Sequence, residues 1–405
     1  MTTLVNSTIT PMADRKWRSL SAALGLLGFL AAGPNAFATW YAEDTKLKVV
    51  PLAMVSTSGG PIVFARDSVG NIDSVVNYGG TWYSSPIYPC QPGKNCAATA
   101  SATYIHPVPN NTLDAYYVAH VDTDGILRLS SFELANIFGG WTTQAIDSGL
   151  DPSSATVATV EFQGNLYIFY SRSNGLNDTL RYAIYNGKVT TKTLDGDSTL
   201  NGKVAGDMFQ PTAVVESVAG SNVLHVYYLD HSHGKLREAF SSDGVKWTYQ
   251  VIDGQAGFPG CTNDSVGYLP SAIVYNNGMT TTINVFYSDT QVQELRMAQF
   301  AWGKWTCAVV DTTEKINDNT TKAPVLYGSE MQVYYISAGG QLRDAYGTGP
   351  NAFTLEPLDG QGAGDLTNGH GGVQDPMDPY VTAGTGPSIF YRDNVTDTMR
   401  HTYWK

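Results

Sequence analysis

The stretch LHVYYLDHSHGKLREAFSSDGVKWTYQVIDG, Leu224–Gly254, contains three short β-strand patterns separated by polar turns. Its first pattern, LHVYYLD, recurs along the chain as INVFYSD, MQVYYIS, LYIFYS and SIFYRD, and more loosely as IVFARD and DAYYVAH. Its second pattern, LREAF, recurs as LRLSSF, LRYAIY, LRMAQF, LRDAY and MRHTYW. Self-similarity of this kind indicates an architecture built from repeated units.

An arginine marks the second pattern in six copies, and the first copy has Asp73 there; the seven positions lie 47 to 59 residues apart. The six arginines are Arg128, Arg181, Arg237, Arg296, Arg343 and Arg400. A third pattern opens with an aromatic residue in five copies, at Trp82, Trp141, Trp247, Trp305 and Phe353, and with Val189 in the third copy. A small apolar strand, such as PTAVVES, connects the units, so each unit has four strands.

Four-stranded repeats of this length are typical of β-propeller blades. Thr39-Trp40-Tyr41 matches Thr81-Trp82-Tyr83, which indicates that an N-terminal strand completes the last unit. We therefore predict an all-β, seven-bladed propeller of four-stranded antiparallel blades, closed by that N-terminal strand. It would form a single domain over residues 39–405, with seven repeats of about 52 residues and almost no helix.

The N-terminus has the pattern of a secretory signal peptide. Three basic residues precede the apolar run Leu20–Ala32, and Ala36-Phe37-Ala38 fits a cleavage site. The apolar run is shorter than the roughly 20 residues that span a bilayer, although an N-terminal membrane anchor is the alternative. We predict a signal peptide over residues 1–38, a secreted protein and no membrane insertion.

Two further features agree with secretion. Five Asn-x-Ser/Thr sequons are candidate glycosylation sites, at Asn110, Asn177, Asn263, Asn319 and Asn394. The chain has four cysteines, an even number that suggests two disulfides in an exported protein. Cys90–Cys96 would close a small loop, and Cys261–Cys307 would then pair by default.

Composition and motifs exclude several classes of function. The formal net charge of −12 makes nucleic acids and anionic membranes unfavourable partners. The turns beginning at Asp122 and Asp230 have too few acids for a Ca²⁺ loop, which needs about six oxygen ligands. We predict no metal and no cofactor, and no motif for a catalytic nucleophile stands out.

The repeat resembles that of the fungal fucose-binding lectins of the Aleuria type, which have six blades, and related bacterial propeller lectins with seven. The shared pattern is V-Y-Y, a polar turn, L-R-E, an aromatic residue and G-K-W. In that family an Arg before V-Y-Y, a Glu after L-R and a Trp of the next blade hold each sugar between blades. Separately, residues 241–247, SSDGVKW, resemble the Asp-box turn of sialidases, which is structural.

This chain departs from the family at the positions that hold the sugar. The arginine position holds Ile62, Asp114, Tyr167, His225, Asn284, Gln332 and Ser388. The glutamate position holds Ser74, Leu129, Tyr182, Glu238, Met297, Asp344 and His401. Two sets keep most of the site that the resemblance implies: His225, Glu238 and Trp302, and then Gln332, Asp344 and Trp404.

The resemblance therefore implies a secreted, non-catalytic lectin that binds glycans or glycoproteins, possibly fucosylated, in pockets between blades. Two alternatives are a propeller glycoside hydrolase or lyase and a protein-interaction scaffold. Acids, Tyr and Arg converging in the central mouth would favour the enzyme, whereas pockets with an aromatic wall between blades would favour the lectin. We expect the recurring arginines to be structural, bonding turn carbonyls between blades.

Overall fold

The computed structural model describes residues 40–404 with internal gaps, and the described part contains strands and turns but no α-helix. The undescribed residues are 1–39, 58–59, 89–96, 106–114, 134–139, 153–154, 174–177, 197–210, 219, 231–232, 255–257, 262–264, 268, 277–278, 319, 351, 361–379, 383–385, 394–395 and 405. The signal peptide, the Cys90–Cys96 pair and all five sequon asparagines fall outside the described residues and stay predictions. No helix in the described part is long and apolar enough to cross a membrane.

The described residues form seven four-stranded antiparallel sheets, as predicted. Blades 1 and 2 comprise β2 (Val49–Thr57), β3 (Gly60–Asp67), β4 (Ile72–Tyr78) and β5 (Thr81–Tyr88), then β6 (Ala97–Ile105), β7 (Ala115–Asp122), β8 (Ile126–Glu133) and β9 (Thr142–Ser148). Blades 3 and 4 comprise β10 (Val157–Phe162), β11 (Asn165–Ser173), β12 (Asp178–Tyr185) and β13 (Val189–Asp195), then β14 (Thr212–Val218), β15 (Ser221–Asp230), β16 (Lys235–Ser241) and β17 (Thr248–Asp253).

Blades 5 and 6 comprise β18 (Ser271–Asn276), β19 (Thr281–Asp289), β20 (Glu294–Ala301) and β21 (Lys304–Asp311), then β22 (Ala323–Tyr327), β23 (Glu330–Ile336), β24 (Leu342–Gly347) and β25 (Phe353–Asp359). Blade 7 comprises β26 (Tyr380–Thr382), β27 (Ser388–Asp393), β28 (Thr398–Trp404) and the N-terminal β1 (Trp40–Asp44). We call the first strand of each blade inner and the fourth outer.

The ring is closed by the N-terminal strand, which confirms the prediction. β1 pairs antiparallel with β28, with Trp40 opposite Trp404 and Asp44 opposite Arg400. The inner strands contact one another in the order β2, β6, β10, β14, β18, β22, β26 and back to β2. Pairing β1 into the last sheet covers an edge that would otherwise have unpaired backbone groups.

The hydrophobic core is divided into seven layers, one between each pair of neighbouring blades. In six blades an aromatic residue at the start of the outer strand packs on the preceding blade, and in blade 3 Val189 takes its place. Trp305 meets Tyr227 with ring centroids 5.9 Å apart, and Trp40 meets Tyr334 at the same distance. The aromatic residues that open the third sequence pattern therefore pack in the core between neighbouring blades.

The recurring arginines are structural, but most of them bind carboxylates rather than the turn carbonyls that we predicted. At five junctions a tyrosine hydroxyl of the second strand donates to the aspartate that ends the preceding outer strand. The pairs are Tyr170 to Asp147, Tyr228 to Asp195, Tyr287 to Asp253, Tyr335 to Asp311 and Tyr391 to Asp359. The blade's arginine lies 3.1 to 3.9 Å from the same carboxylate.

A β-bulge lies at the arginine position of the third strand in blades 1 to 6, whereas the ladder at Arg400 of blade 7 has no shift. In blade 4 the ladder pairs Leu236 with Asp253 and Arg237 with Val251, so Ile252 is the extra residue. Bulges re-aim the side chains around them. The same register shift occurs in five further blades, at Ile72/Asp73, Leu127/Arg128, Leu180/Arg181, Leu295/Arg296 and Leu342/Arg343.

At the two remaining junctions the tyrosine–aspartate hydrogen bond is replaced by other contacts. Between blades 1 and 2, Arg128 lies 5.5 Å from the ring centroid of Tyr88, which also contacts the buried His120. Between blades 7 and 1, the indole Nε1 of Trp82 donates to Glu43 Oε1 over 2.9 Å. The sequence signalled this second change, because Asp73 replaces the arginine in the first copy.

The SSDGVKW turn packs blade 4 against blade 3, as expected of a structural turn. Asp243 Oδ1 accepts hydrogen bonds from the backbone of Val245 and Lys246. Gly244 has φ +70°, and a Cβ added there would overlap the hydroxyl of Tyr167 in blade 3. Glycine is required here both by the left-handed backbone and by the close approach.

The predicted disulfide Cys261–Cys307 is present, with Cα atoms 4.9 Å apart. It ties the segment after β17 to the outer strand of blade 5. Backbone hydrogen bonds support the same contact, because Cys307 N donates to Pro259 O over 2.9 Å. The covalent link thus spans the junction between blades 4 and 5.

Candidate functional site

His225 and Glu238, two residues of the first predicted set, lie together on the face of blade 4 that packs on blade 5. His225 Nδ1 is 2.7 Å from Glu238 Oε1, and the Tyr227 hydroxyl donates to the same oxygen over 2.9 Å. The amide of Gln250 donates to Glu238 Oε2. Glu238 is only 1% exposed, so its carboxylate is satisfied by side chains of its own blade.

A second carboxylate reaches the other side of the imidazole. His225 Nε2 lies 3.5 Å from Glu216 Oε2 on the inner strand. Burial lowers the pKa of His225, but the hydrogen bonds and charges of Glu216 and Glu238 outweigh burial and raise the pKa above its ordinary value. The arrangement favours an imidazolium between two carboxylates near the mouth of the junction.

The second predicted set places Gln332 and Asp344 on the equivalent face of blade 6. The Tyr334 hydroxyl donates to Gln332 Oε1, and Tyr334 lies opposite Asp344 in the ladder. Burial, then the charges of Glu356 and Glu330, raise the pKa of Asp344 well above its usual range, which favours the protonated carboxyl. Its Oδ1 has no hydrogen-bond partner within the described part of the chain.

The two predicted tryptophans are not equivalent positions. Trp302 begins the tight turn between β20 and β21 with φ +54°, and it is 82% exposed. Trp404 lies within β28 opposite Trp40, which is the ladder position that Phe300 occupies opposite Trp305 in blade 5. The G-K-W likeness therefore misaligned Trp404 by two residues.

The repeat alignment was also wrong in blade 2. There the ladder pairs Arg128 with His120, whereas the corresponding arginine of blade 4 pairs with Tyr228. The position equivalent to His225 is therefore Tyr117, three residues after the predicted Asp114. Asp114 itself lies outside the described residues.

Sequence reasoning missed a third polar cluster, at the junction where blade 7 meets blade 1. We call it the seam cluster; its members are Tyr41, Glu43, Trp82, His401 and Tyr403. Glu43 Oε1 is 3.0 Å from His401 Nδ1 and also accepts the Trp82 indole N–H. The Glu43 side chain is 41% exposed, in contrast to the buried Glu238 and Asp344.

Aromatic rings continue the seam cluster toward solvent. Tyr41 and Tyr403 stack with centroids 5.7 Å apart, and Tyr403 stacks on His401 at 4.8 Å. Tyr41 is 45% exposed. The cluster could have been found in the sequence, because the T-W-Y match that indicates closure also sets Glu43 beside His401.

The central channel has a different lining. A cavity of about 280 Å³ is bounded by the inner strands, and its described lining is apolar or hydroxylated, including Met54, Ala158, Thr212, Ser271 and Thr321. No carboxylate, arginine or tyrosine occurs among the described lining residues. Convergence of acids, Tyr and Arg, which would favour an enzyme, is not seen in this part of the mouth.

In the two turns considered for metal binding, the aspartates form hydrogen bonds and ion pairs with neighbouring residues. Asp122 accepts backbone hydrogen bonds from Asp124 and Ile126 and pairs with Arg128 at 2.6 Å. Asp230 pairs with Arg237 at 3.3 Å. Among the residues described, no group of three His, Cys, Asp or Glu side chains could hold a metal ion.

Comparison with known proteins identifies similar folds. No protein-family model and no curated protein sequence matches the chain. The BP39L lectin from Burkholderia pseudomallei superimposes with a TM-score of 0.64 at 17% identity, covering 89% of this chain and 96% of that one. At this identity the likeness shows the fold alone, which is a β-propeller.

Two other solved structures have lower scores. The Aleuria aurantia lectin in complex with α-methyl-L-fucoside has 18% identity and a TM-score of 0.47, covering 78% of this chain and 98% of its own. The NanB sialidase from Streptococcus pneumoniae has 11% identity and a TM-score of 0.44, covering 90% and 70%.

Proposed function

We propose that the protein is a secreted lectin-like propeller that recognises neutral glycans at junctions between blades, without catalysis. The observation that carries the proposal is a repeated arrangement at three junctions. In each, a polar side chain of the third strand lies near an aromatic residue of the second strand and a tryptophan of the next outer strand. The three sets are Glu238, Tyr227 and Trp305; Asp344, Tyr334 and Trp40; and His401, Phe390 and Trp82.

The chemistry of these junctions suits a sugar. Charged groups form hydrogen bonds with hydroxyls that are about twice as strong as neutral ones, and an aromatic face covers the C–H side of a pyranose. In the first set Glu238 and Glu216 take both imidazole nitrogens of His225, so we assign these residues to the polar wall of the site and the exposed Trp302 to the apolar face of the sugar. In the second set Gln332 and Asp344 would contact hydroxyls beside Trp404.

The fold likeness to the BP39L lectin supports the lectin over a scaffold. The neutral lining of the described central mouth supports recognition over hydrolysis. The Cys261–Cys307 bridge supports an oxidising compartment, in agreement with the proposed secretion. The arginine positions that hold the sugar in the resembling family are altered here, so fucose is tested beside other neutral terminal sugars.

The test is a glycan array probed with the exported protein and two variants, Trp302→Ala and Glu238→Gln. We expect weak binding of neutral glycans that strengthens on multivalent display, because several shallow sites act together. Trp302→Ala should lower affinity about fivefold, as expected when an aromatic contact of about 1 kcal/mol is lost. Tyr78→Ala is the control, because Tyr78 is 80% exposed in blade 1, away from this junction.

The outcomes separate the three functions. Binding that is lost in Trp302→Ala and retained in Tyr78→Ala supports the lectin. Turnover of a glycan by the wild type would identify an enzyme. Absence of binding to every glycan on the array would contradict the lectin and favour the scaffold.

A further inference from the structure

We infer that the seam cluster is a binding site for a neutral pyranoside, built jointly by the first and last strands of the propeller. The inference rests on the proposed function and gives its third junction a carboxylate that the repeat pattern does not contain. Its carboxylate comes from the outer strand β1, whereas the repeat places an acid on the third strand. His401 occupies that third-strand position instead.

Glu43 supplies the hydrogen-bond acceptor. Its Oε1 is held by Trp82 and His401, at 2.9 and 3.0 Å, which fixes the orientation of the carboxylate. No hydrogen bond from a described residue reaches Oε2, and the side chain is 41% exposed. One oxygen is thus fixed by the protein, and the other can accept hydroxyl protons from a ligand.

Tyr41 supplies the apolar surface. It stacks on Tyr403 with an angle of 20° between the rings, and Tyr403 stacks in turn on His401. His401 lies parallel to the buried Phe390, with centroids 4.5 Å apart. This column anchors an exposed tyrosine beside a carboxylate, which is the pairing that a sugar with one C–H face and adjacent hydroxyls requires.

The charge of the site selects the class of sugar. Hydrogen bonding to His401 is the largest influence on Glu43, and the pKa of this carboxyl is lowered despite partial burial. A carboxylate in a chain of net charge −12 repels a second carboxylate. Neutral pyranosides are therefore expected to bind, and sugars ending in sialic or uronic acid are not.

Ligand binding is linked to closure of the ring. Tyr41 and Glu43 belong to β1, His401 and Tyr403 to β28, and Trp82 to blade 1, so the complete site exists only when β1 is docked. A ligand that binds only the closed state stabilises that state. At a ligand concentration near 100 times Kd, the melting temperature should rise by about 3 °C for a chain of this size.

The experiment uses the full exported chain and a panel of methyl pyranosides of fucose, galactose, mannose and glucose. Binding is measured by calorimetry and by the shift in melting temperature for the wild type, Glu43→Gln and Tyr41→Ala. We expect each variant to lose at least tenfold in affinity and to lose the ligand-induced shift. Lys192→Gln is the matched control, because Lys192 occupies the same ladder position in blade 3, opposite Tyr182.

Several outcomes are decisive. Retained binding in both seam variants, with loss in Trp302→Ala, would overturn the seam site and leave the proposed function standing. If the wild type binds none of the four methyl pyranosides, the seam site is wrong, and the glycan array then decides the proposed function separately. Tight binding of a sialylated glycan through the seam would also overturn the inference. Should Glu43→Gln fail to fold, the exposed Tyr41→Ala still decides the question.

Discussion

At the scale of one residue, His225 shows how a buried positive charge is stabilised at a junction between blades. It is buried, yet Glu216 and Glu238 raise its pKa above the ordinary value of about 6.5. Because the folded pKa exceeds the unfolded one, folding takes up a proton. The resulting stabilisation is complete below about pH 6.5 and is lost as the pH rises through the folded pKa.

We therefore expect the stability advantage of the wild type over His225→Gln to decrease as the pH is raised from about 6 to 9. Urea unfolding at a series of pH values measures it. His120 is the opposite control, because burial, then the charge of Arg128, lower its pKa to about 3. The wild type should lose stability relative to His120→Gln as the pH falls below about 6.5, so parallel pH slopes for the two variants would refute this account.

The repeat pattern located Glu238 and Asp344 but could not describe their surroundings. Glu238 is paired with His225 and accepts a hydrogen bond from Gln250, which lie on the strands on either side. Asp344 instead faces the carboxylate of Glu356. Those differences depend on which residues face each other in the ladder, and a one-residue error in register changes every pair. Asp114 and Trp404 were misplaced because their copies of the repeat were aligned three and two residues out of step with the others.

At the scale of one element, the turn between β16 and β17 can be tested through its glycine. Gly244→Ala should lower the free energy of unfolding by about 3 kcal/mol, since it combines a left-handed backbone with overlap against Tyr167. Gly187→Ala is the matched control. It lies in the equivalent turn of blade 3 with φ +90° and has no atom within 4 Å, so only about 1–2 kcal/mol of backbone strain is expected.

Guanidinium unfolding of the two variants separates the contributions. Equal losses would mean that the packing against Tyr167 contributes nothing.

At this scale the sequence was informative, because period-two patterns and turn residues predicted the four strands of each blade. The bulge at the arginine position was not foreseen, because it occurs in blades 1 to 6 and not at Arg400 of blade 7, although Arg400 lies in the same sequence pattern as the other arginines.

At the scale of the whole molecule, closure is the feature to test. Trp40 is 6% exposed and packs on Tyr334 and Trp404 across the last junction. Trp40→Ala should lower the free energy of unfolding by about 3–5 kcal/mol, as for other buried aromatic residues. Trp302→Ala, which removes an exposed tryptophan, should change it by less than about 0.5 kcal/mol. Similar values for the two variants in thermal or denaturant unfolding would show that β1 does not secure the ring.

The pairing of β1 with β28 also has a consequence in time. The Thr45 hydroxyl donates a hydrogen bond to the carbonyl of Met399, 354 residues further along the chain. The first strand to be synthesised can therefore pair only after the last strand has been made. At about 5–20 residues per second, that interval is roughly 20–70 s. The earlier blades can assemble while the chain elongates, and the ring forms only after synthesis has nearly ended. Until then the backbone groups of β1 are unpaired, and such groups are a template for pairing with other chains.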